Sequence, residues 1–187
     1  MTTEPDTATV LVVDDETDVA ELYTTWLGQA HDVRSATDGE RALDVVDETV
    51  DVVFLDRQMP GMSGDDVLDR IDERGLDCRV VMVTAVDPDF DIVEMPFDDY
   101  LTKPVAREDL LETVDEMLVR DSYDDTLQRY FSMASKKATL ESEKNAAELD
   151  AHEEYREVSR RVEDLRERAD ETVSEFDDFE TAFQEFG

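Results

Sequence analysis

Three short runs, Thr9–Val13, Asp51–Leu55 and Arg79–Val83, are apolar along nearly their whole length, and this pattern narrows the fold more than any other feature. A strand with one wet face alternates apolar and polar residues. A run apolar throughout needs cover on both faces, as in a parallel sheet between helices. Helix-period stripes lie between the runs: Val19, Leu22, Tyr23, Trp26 and Leu27, then Ala42, Leu43, Val45 and Val46, then Val67, Leu68 and Ile71. Weaker strands are expected at His31–Ser35 and Asp99–Leu101, and Leu110, Leu111, Val114, Met117 and Leu118 mark a last helix. Strand–helix alternation of this kind predicts an α/β fold with a doubly wound, five-stranded parallel sheet. Such sheets gather ligands at the carboxyl ends of their strands, beside the point where strand order reverses.

The residues at those ends are chemically matched. Asp14 and Asp15 follow the first strand, Asp56 the third, Thr84-Ala85 the fourth and Lys103-Pro104 the fifth. Carboxylates gathered at adjacent strand tips repel one another and are costly without a cation. A hard divalent ion such as Mg²⁺ relieves that repulsion through a few carboxylate and carbonyl oxygens. One carboxylate can then attack phosphorus, with a hydroxyl and an ammonium holding the remaining oxygens. Lys103 is the only lysine among the first 135 residues, so surface decoration explains it poorly.

The order Val12-Val13-Asp14-Asp15, then Phe54-Leu55-Asp56 with Met59-Pro60 and Gly64 behind it, then Val83-Thr84-Ala85, then Asp99-Tyr100-Leu101-Thr102-Lys103-Pro104, resembles a response-regulator receiver domain over about residues 9–120. The resemblance implies a two-component, phosphorelay function in which Asp56 takes a phosphoryl group from a sensor histidine kinase. It implies that Asp15, Asp56 and the backbone carbonyl of Gln58 ligate Mg²⁺, with Asp14 acting largely through water. Thr84 would be the switch hydroxyl, Lys103 the direct contact to the phosphoryl group (with a cis bond to Pro104), and Tyr100 the aromatic that reports the switch. A receiver catalyses only its own aspartyl phosphorylation and dephosphorylation. The competing enzyme, a Mg²⁺-dependent phosphohydrolase, typically places an acid two residues after its nucleophile, where this chain has Gln58. One departure from the family concerns the fourth helix. Pro88 and Pro96 bracket Asp89–Met95, which limits it to a turn or two.

From about Ser122 the grammar changes: nothing reads as a strand, the last proline is Pro104, and no glycine occurs between Gly75 and Gly187. Ser122 with Asp125 marks a helix start. Leu127, Phe131, Ala134 and Ala138 form one stripe; Tyr155, Val158, Val162, Leu165 and Ala169, continuing through Val173 and Phe176, form a coiled-coil seam. The seam could be covered by the Leu127–Ala138 stripe, by the same seam of a second chain or by the receiver. Between the stripes, Lys136 to Glu154 has no glycine or proline to mark a turn, which favours a homodimer through residues 155–176 over a hairpin within the chain. Tyr130-Phe131-Ser132-Met133-Ala134-Ser135-Lys136-Lys137-Ala138, with Leu140-Glu141 and Glu154-Tyr155, resembles the HalX domain, a helical module appended to haloarchaeal receivers. The expected plan is a disordered start over 1–8, a receiver over 9–120 and a HalX-like output or interaction domain over 122–187. A DNA-binding transcriptional regulator is the alternative output. Against it, residues 122–187 hold 19 acids and 9 bases and show no helix-turn-helix pattern with a turn glycine. Arg160-Arg161, Arg166, Arg168 and Lys136-Lys137 read as a solvated, salt-bridged face.

Charge bears on the environment. Fifty-two acids oppose eighteen bases, a net of −34, and only four bases are lysines. The excess runs through segments of clear apolar periodicity, so it does not read as disorder. At molar salt the Debye length shrinks to about 3 Å, which screens such a surface. The lysine-poor, aspartate-rich composition resembles that of haloarchaeal proteins. One cysteine, Cys78, excludes an internal disulfide framework and suits a reducing cytoplasm. With no signal-like start and no apolar run of membrane-spanning length, a soluble cytoplasmic protein is expected.

Overall fold

A computed structural model describes residues 7–121, 123 and 125–173, with side chains through Asp170. Five parallel strands, β1 (Thr9–Val13), β2 (Asp32–Ala36), β3 (Val52–Leu55), β4 (Arg79–Thr84) and β5 (Asp99–Thr102), line up in the order β2-β1-β3-β4-β5. Strand order reverses between β1 and β3. Successive residues of the central strands feed opposite faces. Val10, Val12, Phe54, Val81 and Val83 pack with Tyr23 and Leu27 of α1 (Thr17–Leu27) and Leu110, Val114 and Met117 of α4 (Arg107–Asp121). Leu11, Val13, Val53, Leu55 and Met82 pack with Ala42 of α2 (Gly39–Val45) and Val67, Leu68 and Ile71 of α3 (Gly64–Glu73). Double cover is why these strands carry no polar alternation. Ala8 already belongs to the core, at 1% exposure, and its N–H donates to His31 Nδ1. The α1 stripe is shifted from its expected course: Leu22 is exposed and Ala20 takes an interior position. Cys78 is buried, and burial pushes its thiol up to about 11, so it is a packing residue.

Between β4 and β5 the prolines restrict the chain as expected. A single 3-10 turn, Phe90–Glu94, stands where a full helix was excluded, capped by the Asp89 carboxylate accepting from Phe90 N–H. The space is filled by the C-terminal helices α5 (Asp125–Glu143), α6 (Ala146–Ala151) and α7 (Glu153–Val173). Leu140, Leu149 and Val158 join the same core as Phe90, Ile92, Val93 and Phe97. The apolar stripe of α7 is buried as read, through Val158, Val162 and Ala169. That of α5 runs through Tyr130, Met133, Lys136 and Leu140, whereas Ala138 is exposed.

These helices form the intrachain hairpin that the missing turn residues argued against. Asn145 supplies the turn: its side chain accepts from Glu148 N–H while the Glu148 carboxylate accepts from Asn145 N–H, a capping box that restarts the chain as α6. His152 separates α6 from α7 and stacks on Phe90 at 3.9 Å between ring centroids. The homodimer expected through residues 155–176 gains no support from the described part of that face, where Val158, Val162 and Ala169 are buried within the chain and α7 packs on α5. Ser122, Val173's side chain and Phe176 lie outside the described residues.

Lys136, read as surface charge, is 2% exposed. Its ammonium donates to the carbonyls of Val93 and Met95 and lies 5.0 Å from the centre of the Phe97 ring. Burial pushes it down to about 8, against the pull of Asp98 and Glu94 and with Arg161 opposing its charge. Between that value and the ordinary 10.5, the unfolded chain keeps a proton that the folded chain has released, so stability rises with pH across this window. Wild type should therefore gain about 2 kcal/mol on Lys136→Met between about pH 7.5 and 9.5, measured by denaturant midpoints. Parallel profiles would contradict a buried lysine.

Candidate functional site

The β-ladder continues just past the strand ends and fixes the site's backbone. Asp14 N–H donates to Ala36 O, Asp56 N–H to Val13 O and Lys103 N–H to Thr84 O, each within 3.1 Å. Asp14, Asp15 and Asp56 thus converge at the reversal point between β1 and β3, with one carboxylate oxygen of each within 4.8 Å of the others. Asp14 and Asp56 are buried and Asp15 is half-buried. The Lys103 ammonium reaches across from β5, donating to Asp14 Oδ2 at 2.6 Å and Asp56 Oδ2 at 3.3 Å. Burial disfavours that ammonium, but the Asp14 and Asp56 carboxylates outweigh the penalty and hold it above the usual lysine value. Burial likewise pushes the Asp14 carboxyl up, with the Lys103 and Glu16 N–H bonds pulling the other way. One ammonium against three clustered carboxylates leaves excess negative charge, and an oxygen-only donor set suits a hard divalent cation.

The other predicted residues fall around this cluster. Gln58 N–H donates to Asp56 Oδ1 at 3.3 Å, so its backbone lies beside the carboxylate. Thr84 is 1% exposed at the end of β4, its hydroxyl accepting from Val86 N–H. Tyr100 is buried and donates through its hydroxyl to Val86 O at 2.6 Å, so both residues grip the segment leading to the 3-10 turn. The Lys103–Pro104 bond is cis.

One residue of the site escaped the sequence reading. Arg57, one residue beyond Asp56, is nearly buried and bonds Asp65 of α3 and Asp91 of the 3-10 turn. Its only signal was an arginine next to the acceptor. Gly64, already part of the sequence motif, is packed so closely that a Cβ would lie 2.0 Å from the Asp56 carbonyl oxygen. Ser63 caps α3 through a reciprocal bond pair with Asp66, which turns the chain back over the site.

Comparison with known proteins decides the family. The response regulator receiver domain family matches residues 10–115, and the HalX domain matches 119–186. The chain belongs to the response regulator receiver family. A Haloferax volcanii protein is 51% identical over 158 residues, 84% of this chain but 27% of that relative. The sensory transduction protein RegX3 of Mycobacterium tuberculosis is 37% identical over 122 residues, 63% of this chain and 53% of RegX3. The chain therefore spans a quarter to a half of these relatives' lengths. Among solved structures, the BeF3-activated DrrB receiver domain aligns with a TM-score of 0.56 at 29% identity, covering 61% of this chain and 99% of DrrB's. The receiver and the HalX helices meet at the 3-10 turn and β5. Among the described residues no helix is long and apolar enough to cross a membrane.

Proposed function

We propose that the receiver accepts a phosphoryl group on Asp56 from a sensor histidine kinase and passes the signal through the HalX helices. The convergence of Asp14, Asp15, Asp56 and Lys103 at the strand-order reversal carries this reading. Asp15, Asp56 and the Gln58 carbonyl would hold Mg²⁺, with Asp14 acting largely through water. When bound, the ion neutralises the carboxylates and the charge on the transferring oxygens. An Asp56 carboxylate oxygen attacks phosphorus, the P–N bond of the donor phosphohistidine breaks, and an acyl phosphate forms. Lys103 shifts its ammonium from the carboxylates to a phosphoryl oxygen. Thr84 turns its hydroxyl from Val86 N–H towards the same group, and Tyr100, tied to Val86 O, responds. The docking of α5 and α7 on the receiver supports an interaction module as the output.

Acetyl phosphate tests the metal and lysine roles. Labelling should require Mg²⁺, and Asp15→Ala should reduce it by about a hundredfold or more. Lys103→Ala should bind Mg²⁺ at least as tightly as wild type, because its ammonium competes for the same carboxylates, yet accept phosphoryl groups more slowly. Equal labelling in a chelator and in Mg²⁺ would contradict the assignment.

A further inference from the structure

The 3-10 turn Phe90–Glu94 is held from two sides by different parts of the molecule. On one side stands Arg57, chained directly to Asp56 and bonded to Asp91 of the turn. On the other stands the C-terminal hairpin. Lys136 holds the carbonyls of Val93 and Met95, His152 stacks on Phe90, and Arg161 pairs with Glu94 at 3.5 Å. The Arg161 pair is exposed and contributes little. Buried Lys136, the stacked ring and the apolar side chains Leu140 and Val158 carry the docking. A five-residue turn with no full helix to stiffen it is thus the contact shared by the acceptor loop and the HalX helices.

We propose that Arg57 is a positioning residue that couples phosphorylation at Asp56 to docking of the C-terminal hairpin, by fixing the 3-10 turn through Asp91. The inference rests on Asp56 as the acceptor. An acyl phosphate carries close to two negative charges where the Asp56 carboxylate carried one, on the residue preceding Arg57, and the added charge competes with Asp91 for the guanidinium. Asp65 belongs to α3 and Asp91 to the turn, so the Asp91 bond is the one whose loss reaches the hairpin. The turn then loses its anchor on the receiver side, and the hairpin bound to its other side loosens. Linkage makes the effect reciprocal: the docked hairpin disfavours phosphorylation by the same factor.

The test uses the full chain in concentrated KCl with Mg²⁺ and beryllofluoride as phosphoryl mimic. Fluorine NMR reads binding, and hydrogen exchange of the α5 and α7 amides reads docking. Beryllofluoride should speed exchange in wild type by about tenfold. Asp91→Asn, an exposed substitution, and Arg57→Gln should bind the mimic while their hairpin exchange no longer responds. Asp65→Asn, which leaves the link to the turn, should respond like wild type. The coupling is overturned if wild type binds the mimic with no change in the hairpin, if Asp91→Asn responds as wild type does, or if Asp65→Asn abolishes the response equally. Absence of a bound fluorine signal in wild type would instead overturn the Asp56 reading, and the coupling with it.

Discussion

Dialysed from concentrated KCl into dilute buffer, the protein will lose its folded structure. With 52 acids against 18 bases, most carboxylates have no cationic partner. At about 0.01 M salt the Debye length is about 30 Å, so charges repel across the whole molecule; at molar salt it is about 3 Å and only neighbours interact. A domain of ordinary stability has about 5–15 kcal/mol to lose, and unscreened self-repulsion of this size consumes it. The exposed ion pairs on the receiver, such as Arg34–Asp47, are too weak to compensate. Far-UV circular dichroism should show helical signal falling as KCl is removed and returning when it is restored. A spectrum unchanged in dilute buffer would mean that the acidic surface is not an adaptation to salt.

Gly64→Ala will damage both the fold and the acceptor site. The new Cβ would meet the Asp56 carbonyl oxygen at 2.0 Å and Arg57 Cα at 2.7 Å. Both are backbone atoms and cannot swing aside. Gly64 N–H also donates to Arg57 O at 2.9 Å, so the loop cannot open without losing that bond and straining the Ser63 cap. Overpacking against a fixed wall of this kind should cost about 3 kcal/mol or more. Any molecules that fold should form acyl phosphate poorly, because the displaced atoms belong to the acceptor itself. Gly61→Ala makes the contrast. Its position has φ of 76° but nothing within 4 Å, so it should cost only about 1 kcal/mol. Equal denaturant midpoints for the two variants would contradict the close approach.

What could be read in the sequence follows from what each signal depends on. The strands were legible because burial on both faces leaves runs such as Val52–Leu55 with no polar residue, and the acids stand out by following them directly. The shortened fourth helix was legible because proline acts locally. The Arg57–Asp91 bond was not, since it joins residues 34 positions apart through a turn whose placement is a tertiary matter. Lys136 misled because charge normally marks the surface, and only the carbonyls exposed by the short turn make a buried ammonium tolerable. The hairpin was missed for a different reason. Its turn is written as Asn145-Ala146-Ala147-Glu148, a capping box that needs neither glycine nor proline.

Asp56 as the phosphoryl acceptor can be tested by one measurement without any partner protein. Wild type and Asp56→Asn are incubated with acetyl phosphate and Mg²⁺ in concentrated KCl, and the acyl phosphate is trapped by borohydride reduction and located by peptide mass. Wild type should carry the modification on the peptide containing Asp56, and Asp56→Asn should carry none. Equal modification of Asp56→Asn, or a wild-type label found on another residue, would contradict the account.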